Sequence, residues 1–130
     1  MDSYEEIDKY AAELERDTSV DATNIFEKQL SAPNMRHKWL YRLVMAKKKL
    51  YSLAEQKDDL LNVKMQSSRL PVSNLAARKN FERDSDIVAL NKDISKQELL
   101  VDYLDSAVKQ LGQLGFDYRN LVELLKLEQL

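Results

Sequence analysis

Residues 34 to 69 contain neither glycine nor proline. That run limits the fold more than any other feature of the chain. It is filled with Ala, Leu, Lys, Glu, Gln, Arg and Met, the residues that lose least on entering a helix. Its apolar positions recur as Trp39/Leu40, Leu43/Val44, Ala46, Leu50/Tyr51, Leu53/Ala54, Leu60/Leu61 and Met65, a broad stripe at helical spacing. One helix of that length reaches roughly 54 Å at 1.5 Å per residue. A compact domain of this size is only about 36 Å across. Such a helix overhangs its own domain, and its stripe needs a second copy or another protein to cover it. With two Gly and two Pro in 130 residues, the expected class is all-α, one domain over residues 1–130.

The segments on either side are read the same way. Ser3-Tyr4-Glu5-Glu6 has capping-box spacing, and Ile7, Tyr10, Ala11 and Leu14 follow at helical intervals. A short acidic helix is expected from about Ser3 to Arg16, with a break at Asp17-Thr18-Ser19. Asp21 or Thr23 then caps a second short helix through Ile25, Phe26 and Leu30, so residues 1–33 form acidic N-terminal helices. Pro33 either kinks that helix or sits in the first turn of the long basic helix, residues 34–70. Residues 71–93 mix Ser, Asn and charges and read as a linker or loop. Within them Ile87-Val88-Ala89-Leu90 is a short apolar run whose periodicity settles nothing. A C-terminal helical pair is expected over residues 94–130. Leu99/Leu100, Tyr103/Leu104, Ala107/Val108 and Leu111 mark its first helix, which Gly112 and Gly115 end. Asp117 caps the second, and Phe116 staples to Leu121.

Most catalytic chemistry lacks its residues. Cysteine is absent and His37 is the sole histidine, so zinc and iron sites of ordinary ligand type are not expected. No glycine-rich phosphate loop occurs, and His37 has no acid beside it to make a nucleophilic triad. Asp58 and Asp59 diverge on a helix and read as a solvated face. The chain is expected to be no enzyme and to use no cofactor. No run of about 18 apolar residues suggests a membrane span, and the acidic start MDSYEEIDKY does not read as a signal peptide.

Charge is segregated. Residues 1–27 carry nine acids and two bases, while residues 28–54 carry seven bases and no acid, although the whole chain is at −2. The plainer reading pairs the two blocks within one molecule. The other is a polyanion site: Lys38, Arg42 and Lys49 lie near one line of the helix with Lys57 and Lys64 beyond, and Trp39, Tyr41 and Tyr51 are interleaved. Cations among aromatic faces suit single-stranded nucleic acid. Trp39 and Tyr51 also suit a core. Nucleic acid and acidic protein partners stay open at this point.

The stretch RDTSVDATNIFEKQLSAPNMRHKWLYRLVMAKKKLYSLAEQK resembles the N-terminal half of the UvsY family, the recombination mediators of T-even-type phages. The resemblance rests on Val20-Asp21-Ala22-Thr23, Lys38-Trp39-Leu40, Lys47-Lys48 and Gln56-Lys57, in that order. A second block, LLVDYLDSAVKQLGQLGFDY, resembles the family's C-terminal helices through Leu100, Asp102, Tyr103, Ala107 and Gly115-Phe116. The resemblance implies a ring-shaped homo-oligomer, a heptamer in the family, acting in DNA recombination, repair and replication in the cytoplasm of an infected bacterial host. It implies binding to single-stranded DNA, destabilisation of the phage single-strand DNA-binding protein on it, and loading of a RecA-like recombinase. The family's late Lys-x-Arg pair falls at Asn62-Val63-Lys64, so only Lys64 keeps a cation there. The expected DNA contacts are Lys47, Lys48, Lys57, Lys64 and Arg69. Leu121, Leu124 and Leu125 are the expected oligomerisation surface. The alternative is a helical oligomeric adaptor that binds proteins only.

Overall fold

A computed structural model of the chain describes residues 2–68 and 75–129. Every regular element among them is helical: α1 (Ser3–Thr18), α2 (Ile25–Ser67), α3 (Leu75–Asn80), a 3-10 turn (Phe81–Arg83) and α4 (Ser85–Glu128). The all-α expectation is met, with a long central helix. Several expected boundaries move, each for a physical reason.

The cap of α1 is Asp2, whose carboxylate accepts the Glu5 N–H at 2.9 Å. Ser3 is instead the first helical residue, and its buried hydroxyl donates to Gln97 Oε1 at 2.9 Å. At the other end of α1, Lys28 Nζ donates to the Asp17 carbonyl at 2.8 Å, a cation on orphaned C-terminal oxygens. Asp21 organises the turn between α1 and α2 by accepting the N–H groups of Thr23 and Asn24 at 2.8 and 3.1 Å. From there α2 continues through Pro33 as one helix, so neither a separate short helix nor a fresh start near Asn34 occurs. Pro33 is exposed, and Ile25, Met35 and Trp39 are buried on both sides of it. Burial of those side chains outweighs one lost backbone hydrogen bond.

The C-terminal pair is also one helix. α4 passes through Gly112 and Gly115 without a break. Glycine costs about 1 kcal/mol per helical position, whereas Leu111 before the glycines and Tyr118 and Val122 after them all lie on the buried face. A break would swing Tyr118 and Val122 out of the core. Asp117 is therefore an exposed mid-helix residue, not a cap, and Phe116 is 55% exposed instead of stapled. Much of the expected 71–93 loop is ordered too. α3 and the 3-10 turn occupy residues 75–83, and α4 begins at Ser85 with the Asp84 carboxylate accepting the Asp86 N–H at 2.9 Å. Ile87 is wholly buried, which assigns the ambiguous apolar run to a helix.

α2 and α4 lie antiparallel. Lys64 near the end of α2 meets Asp84 at the entry to α4 at 3.1 Å. Mid-helix, Gln97 Nε2 donates to the Ala46 carbonyl at 2.9 Å. At the far end Ile25 packs with Tyr118 and Val122. At 43 and 44 residues each helix is roughly 65 Å long. The long stripe of α2 is thus covered largely by α4 of the same chain. Met35, Trp39, Leu43 and Ala46 meet Leu100, Leu104, Ala107 and Leu111 there, and α1 lays Ile7, Tyr10 and Leu14 against the same core.

Candidate nucleic-acid interface

The basic run of α2 divides into three groups according to what faces each cation. Lys38 and Arg42 face α1. Lys38 Nζ lies 2.5 Å from an Asp17 carboxylate oxygen, and Arg42 pairs with both oxygens of Glu13. The Arg42 hydrogen bond holds the Glu13 carboxyl below its usual range. Burial would raise Asp17, but hydrogen bonds from Lys38 and Trp39 outweigh it and hold Asp17 low as well. Arg42 also stacks 4.7 Å over the Trp39 ring. Pairing of the acidic and basic blocks therefore accounts for these two cations. Trp39 is wholly buried and donates its Nε1–H to Asp17 at 3.1 Å, so it is a core residue and no stacking platform.

Lys47, Lys48 and Lys49 form no ion pair among the described residues. Consecutive residues diverge by about 100° around a helix, and the three accordingly meet different surroundings. Lys47 is half-buried on the α4 side, where its charge adds to the Lys109 hydrogen bond that holds the Asp105 carboxyl below its usual range. Lys48 is exposed. Lys49 lines a cleft of about 290 Å³ between α1, α2 and α4, with Glu6, Tyr10, Tyr41, Met45 and Leu100. Two tyrosines flank the trio: Tyr41 is 61% and Tyr51 62% exposed. The core reading of Tyr51 is not what the fold adopts.

Lys57 and Lys64 occupy the buried side of α2 and meet acids of the segment leading into α4. Lys57 lies 3.3 Å from Glu82. Lys64 lies 3.1 Å from Asp84 and 3.3 Å from Asp86. The Asp84 hydrogen bond raises Lys64 above its usual value, and in return Lys64 lowers Asp84. Asp58, read from the sequence as part of a solvated face, pairs with Arg78 at 2.5 Å. The alternating Glu82-x-Asp84-x-Asp86 pattern was the available signal, since acids gather at helix starts. Arg69 lies outside the described residues.

The three C-terminal leucines do not share one role. Leu125 packs on the Ile25–Tyr118–Val122 cluster. Leu121 is 41% and Leu124 58% exposed. Beside them a small groove is lined by Val20, Ala22, Ile25, Leu121 and Leu125. Among the described residues no cluster of acids and histidine has the spacing to hold a metal ion, and no helix is long and apolar enough to cross a membrane.

The described residues form a helical hairpin clasped by an acidic helix, with lysines in no ion pair among those residues and exposed tyrosines at its waist. The comparisons with known proteins place it among recombination proteins. The family model described as "Recombination, repair and ssDNA binding protein UvsY" matches residues 13–129. The chain belongs to the UvsY family. Two crystal structures of the bacteriophage T4 recombination mediator protein UvsY share its fold. The lattice type IV form is 19% identical with a TM-score of 0.81, over 94% of this chain and 98% of that one. The lattice type II form is 17% identical with a TM-score of 0.79, over 94% and 96%. No curated protein matches the chain.

Proposed function

We propose that this protein is a recombination mediator. It binds single-stranded DNA, loosens the phage single-strand DNA-binding protein from it, and promotes loading of a RecA-like recombinase, in the cytoplasm of the infected host. The observation that carries the reading is the family match across residues 13–129. Lys47, Lys48 and Lys49, in no ion pair among the described residues and beside two exposed tyrosines, support it, since phosphates seek cations and bases seek aromatic faces. The strand follows α2 from Lys47 and Lys48 toward Lys57, Lys64 and Arg69. Along the last part of that path it competes with Glu82, Asp84 and Asp86 for the lysines. The active form is a ring-shaped homo-oligomer, a heptamer as the family resemblance implies, in which weak contacts repeated around the ring add by avidity.

The test is recombinase filament assembly on single strands already coated by the cognate binding protein. Adding this protein is expected to shorten the lag. If the lag stays unchanged while the protein still binds bare strands, the mediator reading fails and plain strand binding remains. If bare strands are not bound either, a protein-only adaptor is the better account.

A further inference from the structure

The cleft between α1, α2 and α4 has a construction that strand binding through Lys47 and Lys48 does not use. Its walls are the rings of Tyr10 and Tyr41 and the side chains of Met45, Leu100 and Leu104. Its volume is about 290 Å³, at the lower limit of the roughly 300–1,000 Å³ range of small-molecule sites. A single flat ring system fits such a space better than a folded ligand does. The charged groups at its rim oppose one another: Arg42 and Lys49 on α2, Glu6 on α1, with Arg42 already held by Glu13. A mouth so balanced suits an uncharged aromatic group better than a bare phosphate. Lys49 has no ion-pair partner among the described residues, and Lys48 precedes it on the exposed side of α2.

We infer that this cleft seats one nucleobase of a bound single strand, stacked on Tyr41, with Lys49 holding the adjoining phosphate. The inference rests on the strand-binding reading above and adds to it a particular base site. The cleft's α1 wall, Glu6 and Tyr10, precedes the residues matched by the family model, while its α2 and α4 walls lie within them. Tyr41 is more than half exposed. Its ring is available to a base, and its removal leaves the core intact. Stacking and phosphate pairing separate cleanly by experiment: stacking requires a base and is insensitive to salt, while a phosphate contact requires only the backbone and adds to the salt slope.

The experiment measures binding of the full chain to a thymidine oligomer and to an abasic oligomer of equal length, across a salt series. Tyr41→Ala is expected to weaken binding to the thymidine oligomer by about 5- to 150-fold. It leaves abasic binding and both salt slopes unchanged, and Tyr41→Phe keeps wild-type affinity. Lys49→Ala is expected to weaken both oligomers alike and to flatten the slope by about 0.7. Equal losses on both oligomers for Tyr41→Ala, or no loss on either while the wild type binds, overturn the base seat and leave strand binding standing. A change in oligomeric state of Tyr41→Ala by light scattering makes the tyrosine a subunit contact and also overturns it. Failure of the wild type to bind any oligomer removes the strand-binding reading and the base seat together.

Discussion

Glu13 and Asp17 are the residues through which the acidic helix grips the basic one. Both carboxyls are held low in the folded chain, Glu13 chiefly by Arg42 and Asp17 by Lys38 and Trp39 against the pull of burial. A carboxyl lowered by folding stabilises the fold at any pH above its unfolded value, about 4. That contribution is lost as pH falls through the lowered folded value. Stability to urea is therefore expected to be flat from neutral pH to about 5 and to decline below about 4. Glu13→Gln with Asp17→Asn is expected to be less stable at pH 7 and to show a shallower acid decline. Asparagine still accepts from the Trp39 Nε1–H, so the comparison isolates charge. An unchanged acid slope in the double variant would move the acid sensitivity elsewhere. At this scale the sequence was partly legible. Segregated blocks of opposite sign announce a pairing, but not that Lys38 and Arg42 are the cations that reach Glu13 and Asp17. Which side of a helix faces a docked helix depends on where that helix docks. Trp39 and Tyr51 both belong to the apolar pattern of α2, and the positions of α1 and α4 make one wholly buried and leave the other exposed.

Among the elements, helix identity was readable and helix ends were not. Proline and glycine are the usual punctuation, and here both are overridden by a buried face that runs past them. That reading gives a direct test in α4. A Cβ at Gly115 would meet nothing within 4 Å, and the position is helical. Gly115→Ala is expected to stabilise the chain by about 0.5–1 kcal/mol in denaturant titrations. Were the helix to end at Gly115, alanine would gain nothing or destabilise. The segment entering α4 supplies a second test. Its acids sit where phosphates are proposed to lie, so the combined change Glu82→Gln, Asp84→Asn, Asp86→Asn frees Lys57 and Lys64. Asparagine remains a good cap for α4. Single-strand affinity is expected to rise and the logarithmic salt slope to steepen by about 0.7 for each phosphate gained. Adding Lys57→Ala and Lys64→Ala is expected to cancel the gain. A gain that survives those two changes would come from general charge and would take the strand off the late part of α2.

For the whole molecule the controlling quantity is surface. The chain exposes 8953 Å², against roughly 7,100 Å² for a compact monomer of its mass. Two helices of some 65 Å side by side, with short elements laid against them, account for the excess. Part of what they expose is apolar. Phe26 and Leu30 at one end of α2 lie at the same end of the hairpin as Leu121, Leu124 and Leu127 of α4, and all five are exposed. Ile25 beneath them packs against Tyr118 and Val122, so this end of the hairpin is firm where a partner would dock. An exposed apolar surface on a firm scaffold suits a contact with another chain, and in the proposed ring the neighbouring copy would occupy it. Leu125 belongs to the inner cluster, so it is a poor probe: its loss would unsettle the fold as well as any contact. Leu121→Glu with Leu124→Glu is the cleaner change, because both side chains are already exposed. Helix content by circular dichroism is expected to be unchanged and the mass by light scattering at micromolar concentration to fall. Strand affinity is expected to fall with it, since avidity goes with assembly, while a short oligomer spanning one subunit is bound as before. A wild type that is already monomeric would end the ring proposal, and a variant that keeps its full mass would place the subunit seam on another face of the hairpin.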